Sequence, residues 1–188
     1  MRDIRKELRA SMNGILSARM RDAGMPFRLI FGTELPRLES IASEFPHDAE
    51  LAQQLWQTKI RETRLLAIML MPPHHFTPPL AELWLSSLLT AEEAQVMALR
   101  LLPAAPEAVP TALRTLHRDD TLQIIAAALT LRHLIVGGAT MSEETCAAIR
   151  SRLESLVDAP SLSQRKALRA LSEAIEAKKG ERTEGYLK

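Results

Sequence analysis

Signals that start and stop helices recur along this chain from one end to the other. Asp48, Thr90, Asp120, Ser142 and Ser161 each stand just before a stretch with helical spacing. Short oxygen-bearing side chains there accept from helical N–H groups that lack a partner. Thr90 with Glu93 and Ser161 with Gln164 have capping-box spacing. Pro36 and Pro78 fall in first turns, where a missing N–H does no harm. Pro46, Pro72–Pro73 and Gly137–Gly138 close the segments before them. The intervals predict helices over 2–21, 34–45, 48–57, 60–71, 78–89, 91–102, 107–116 and 120–136. A ninth opens at Ser142 and a tenth runs from Ser161 to about Lys179.

No segment alternates as a strand does. The chain of 188 residues holds 30 Leu and 26 Ala but four Val. That balance favours helix formers over strand formers and argues against a sheet-based fold. Leu65 to Leu70 and Ile124 to Leu129 have no polar face, so both segments are expected to be central, with Leu65, Leu66, Ile68, Met69, Ile124, Ile125 and Leu129 in the core. Helix pairs recur over 34–57, 60–89, 91–116 and 120–157. Units of that length stack into HEAT-like repeats, because no unit buries its own apolar face. The predicted fold is all-α, an α-α superhelix of about ten helices: a single HEAT-like domain over 1–180, then a polar tail over 181–188 that frays. A compact helical bundle without repeats is the alternative.

Several classes fall away. Cys146 stands alone, so there is no internal disulfide and no multi-cysteine zinc site. In helix nine, beside Ala147 and Ala148, it reads as buried packing. Charged residues follow Met1 at once and the longest apolar run, Leu65 to Pro73, is too short to cross a membrane. A soluble, cytoplasmic protein without a membrane partner is the expectation. Glycine-rich phosphate loops and nucleophile elbows are missing, so no cofactor is expected. His74–His75 lack a third ligand, and no metal is expected. His117 to Asp120 reads as a helix-capping turn. Net charge is +1, but the first 21 residues hold six basic and two acidic side chains, an N-terminal helix able to meet phosphates or a solvated face.

One stretch is more specific. Gly32, Pro36, Leu38, Ile41 and Ala42 are followed by Leu51, Ala52 and Leu55–Trp56, and then by Arg61–Glu62–x–Arg64–Leu65–Leu66–Ala67–Ile68. This resembles the N-terminal repeats of the DNA alkylation repair family of HEAT-like proteins, the AlkD-type alkylpurine DNA glycosylases. The resemblance covers 32–71 by pattern and the rest by helix order. It implies a concave basic face on duplex DNA and hydrolysis of the N-glycosidic bond of cationic alkylated purines. It also implies a carboxylate and tryptophans that stabilise the sugar's developing positive charge.

At the matching positions that chemistry is missing. Trp84 supplies the family's earlier tryptophan helix. The W-D-x-x-D segment then falls on Ala91, Glu92 and Gln95, with Ala91 for the tryptophan and neutral Gln95 for the catalytic aspartate. A later W-x-R-R-x-A pattern meets Leu122–Gln123–Ile124–Ile125–Ala126, without arginine. No catalytic residue is therefore assigned. Arg61 and Arg64, three apart, share a helical face and with Lys59 form the candidate DNA-binding set. The competing reading pairs both arginines with Glu62. The expectation is a DNA-binding member of the family, catalytically degenerate as a glycosylase, contacting duplex DNA through backbone phosphates. The alternative is a repeat scaffold holding a protein partner in its concave groove.

Overall fold

A computed structural model describes the backbone at residues 1–156, 158–159 and 161–185, with side chains through 178. It is all-helical: the described residues contain eleven α-helices and no strand beyond a single bridge between Leu29 and Ile60. The helices are α1 (Arg2–Ala10), α2 (Gly14–Asp22), α3 (Leu35–Ser43), α4 (Ala49–Trp56), α5 (Arg61–Leu70), α6 (Pro78–Ser86), α7 (Ala91–Arg100), α8 (Ala108–Leu116), α9 (Thr121–Val136), α10 (Glu143–Ser155) and α11 (Leu162–Gly185). The chain divides into two compact units, Met1–Phe76 and Thr77–Lys188.

The extra helix arises at the N-terminus. The single helix expected over 2–21 breaks after Ala10. Asn13 begins a new one, its Oδ1 accepting from Leu16 N at 3.0 Å. The apolar spacing misled there, since Met12 and Ile15 are 61% and 73% exposed. Elsewhere the caps lie where the sequence places them. Asp48, Asp120 and Ser142 each accept from the N–H three residues on. The box at Thr90 is shifted by one residue. Thr90 Oγ1 accepts from Glu93 N, while Glu93 returns to Leu89 N rather than to its partner's own amide. Thr77 makes no capping bond, and Pro78 alone sets the start of α6. Helix α11 continues to Gly185, past the end expected at Lys179; the rest of the predicted tail, 186–188, lies outside the described residues.

In the N-terminal unit, α3 and α4 pack on α5. In the C-terminal unit, α7, α8 and α11 pack on α9. The two segments without a polar face are therefore the central ones, as their composition requires. Leu65, Leu66, Ile68, Ile124 and Ile125 are buried, while Met69 and Leu129 are half-buried. In α6, Leu80, Leu83 and Trp84 have the spacing of one apolar face, but Leu83 is exposed and Leu85 is buried beside Trp84. Cys146 is half-buried rather than buried, at the edge of a small cavity of about 40 Å³ with Ile135, Met141 and Arg150. His74 and His75 sit exposed in a 3-10 turn over Pro73–His75, and no metal-binding cluster occurs among the described residues. No described helix is long and apolar enough to cross a membrane.

Candidate nucleic-acid interface

The start of α5 organises the N-terminal unit. Glu62 is fully buried and accepts two backbone bonds from the segment joining α2 to α3: Phe31 N at 3.0 Å and Gly32 N at 2.9 Å. Arg61 Nη1 donates to Glu62 Oε1 and to Thr33 O, both at 2.9 Å. A buried carboxylate is tolerable only when paired and hydrogen-bonded, and this one is both. Arg64 lies over the Trp56 ring, Cζ 3.7 Å from its centroid, and its Nη1 donates to Trp56 O at 3.0 Å.

Arg61 and Arg64 are only 2% and 5% exposed. The phosphate clamp expected of them gives way to an internal role, because backbone carbonyls, a carboxylate and an indole face already hold their guanidinium groups. The two arginines share the start of α5, as their spacing requires, but they share it inward. Lys59, the third residue of the expected set, is exposed.

Residues 28–33 form a strap fastened on both sides. Arg28 N and Leu29 N donate to Lys59 O, and Arg61 N donates to Leu29 O. From the other side Asn13 N donates to Phe31 O, and Ser17 Oγ donates to Ile30 O at 2.7 Å. Gly32 makes this fit possible. Its φ is +77°, and an added Cβ would stand 2.3 Å from Asn13 O and 2.7 Å from Ser17 N. Only glycine accepts both the left-handed backbone and that approach.

The strap carries Arg28 to within reach of Lys59, thirty-one residues later in the chain. With Arg5 and Arg9, one turn apart on α1, they line an open cleft of about 530 Å³. All four cations are exposed, and their side chains make no hydrogen bond or ion pair among the described residues. The lining contains no carboxylate. A concave surface of one sign of charge attracts anions more strongly than the same charges spread on a convex one. Arg28 was invisible to sequence reasoning, since it lies in what reads as an apolar linker. The basic count of the first 21 residues had signalled Arg5 and Arg9 only as part of a helix.

The positions matched to a glycosylase site look different. Ala91 offers no ring. Glu92 is half-buried in the first turn of α7, and Gln95 is exposed. The protein's two tryptophans, Trp56 and Trp84, are 5% and 2% exposed, and Arg64 covers the first.

Residues 4–89 match the model of the DNA alkylation repair enzyme family. The matched segment spans the strap, the buried Arg61–Glu62 pair and all four cleft cations. Comparison of folds gives a solved structure described as "A new family of proteins related to the HEAT-like repeat DNA glycosylases with affinity for branched DNA structures". It superposes with a TM-score of 0.77 at 17% identity, covering 93% of this chain and 74% of the other. That likeness shows a HEAT-like helical repeat fold. No curated protein matches the sequence.

Proposed function

We propose that this protein binds DNA through backbone phosphates and is catalytically degenerate as an alkylpurine glycosylase, with residues 1–180 acting as one repeat domain. The cleft carries this reading: four exposed cations from three separate segments converge without a carboxylate among them. The phosphate contacts belong to Lys59 together with Arg5, Arg9 and Arg28, while Arg61 supports the strap from within and Arg64 holds Trp56. The affinity for branched DNA described for the structural neighbour makes a branched duplex the first ligand to try.

Degeneracy rests on chemistry. Departure of the base leaves the sugar cationic, and a full negative charge nearby lowers that barrier more than an amide dipole can. Gln95 offers the dipole alone, and both indoles are turned inward. Incubation with methylated duplex DNA should release base no faster than a protein-free control. Robust release that disappears in Glu92→Gln would overturn the degenerate reading and make Glu92 the missing carboxylate.

A further inference from the structure

The cleft that collects the four cations has a floor unlike a phosphate track. Leu29 is 43% exposed there, beside half-buried Ile60. Ile30, next on the strap, is buried, and Phe31, 7% exposed, shows only an edge to the cleft lining. Leu29 is also fixed: its N–H donates to Lys59 O and its carbonyl accepts from Arg61 N. A large apolar side chain thus projects from an anchored backbone into an open, cationic hollow whose volume lies in the range of small-ligand sites.

Intact B-DNA presents phosphates and groove edges to a surface like this, and its base faces are stacked out of reach. An unpaired nucleotide has both features the cleft answers, a flat apolar face and flanking negative charges. Gln57, on the cleft wall, adds an amide able to donate to or accept from a base edge.

We propose that the cleft takes an unpaired DNA nucleotide, with its base laid on Leu29 and its flanking phosphates on Arg5, Arg9, Arg28 and Lys59. This rests on the reading of the cleft as a DNA site and gives that site a ligand class. A protein built so distinguishes a strand that leaves the duplex from one that stays in it, without reading sequence.

The test uses the full-length protein and three labelled DNAs of one core sequence: a blunt duplex, the duplex with a short thymidine flap, and the duplex with an abasic flap of equal length. Fluorescence anisotropy should show the thymidine flap bound more tightly than the abasic flap by up to about fivefold, the factor at the low end of stacking on an aromatic ring, which an aliphatic side chain does not exceed. Leu29→Ser should abolish that preference. Leu29→Trp, which puts an aromatic face at this exposed position, should increase it. Equal binding of the two flaps, or a preference that survives Leu29→Ser, overturns the inference while binding of the blunt duplex leaves the DNA reading standing. Absence of binding to all three DNAs at low salt overturns both.

Discussion

Arginine plays opposite parts on the two sides of the 28–33 strap. Beneath it, Arg61 and Arg64 are buried and held by the Thr33 and Trp56 carbonyls, by Glu62 and by the Trp56 ring. Above it, Arg5, Arg9 and Arg28 stand exposed with Lys59 around an open cleft. The inner set carries the sequence pattern, and the outer set carries the available charge. A basic residue in a recognisable motif is therefore no guide to the binding surface until its nearest acceptors are known. Here the motif builds the platform and less conspicuous residues stand on it.

Removing the inner partner should have the largest effect. Glu62→Ala leaves Arg61 buried without its carboxylate and strips Phe31 N and Gly32 N of their acceptor. Loss of one member of a buried ion pair costs about 3–5 kcal/mol. Urea denaturation should show that loss, and a cost below about 1 kcal/mol would contradict the buried pairing.

Gly32→Ala should come next, at about 2–4 kcal/mol, combining a left-handed backbone with a Cβ forced against the first turn of α2. The same denaturation series checks it. A neutral result would mean that the strap shifts away from Asn13 and Ser17 more easily than its bonds suggest.

Arg64→Lys keeps the charge but loses the planar group over Trp56, for about 1–2 kcal/mol. A parallel loss of tryptophan quenching or shift in its emission would locate the effect at that ring. On the outer side, Arg28→Ala should change stability by less than about 0.5 kcal/mol, since its side chain holds nothing inside the chain. A larger cost would erase the contrast between the two sets.

Much of the fold was legible in the residues. Caps at Asp48, Asp120 and Ser142 gave helix starts, and the all-apolar segments at 65–70 and 124–129 marked the central helices. The break at Asn13–Gly14 was hidden because Met12 and Ile15 continue a helical spacing that no core receives. At the site, Arg61, Glu62 and Arg64 were visible as a polar cluster, but spacing alone does not say whether a helix face looks inward or outward. Glu62 decides it by binding amides thirty residues away, a long-range pairing that leaves no local mark. Arg28 was missed for the same reason: the bonds from Arg28 and Leu29 to Lys59 bring together segments that are distant in sequence.

The salt dependence of duplex binding tests the central claim most directly, with wild type set against the Arg28→Ala/Lys59→Ala double variant. Each phosphate contact contributes close to one unit to the slope of log affinity against log salt, so losing two should flatten that slope by about two units. The double variant should retain wild-type stability, which separates lost contacts from lost structure. A slope unchanged in that folded double variant would contradict the account, because the cleft cations would then not be the residues that meet DNA.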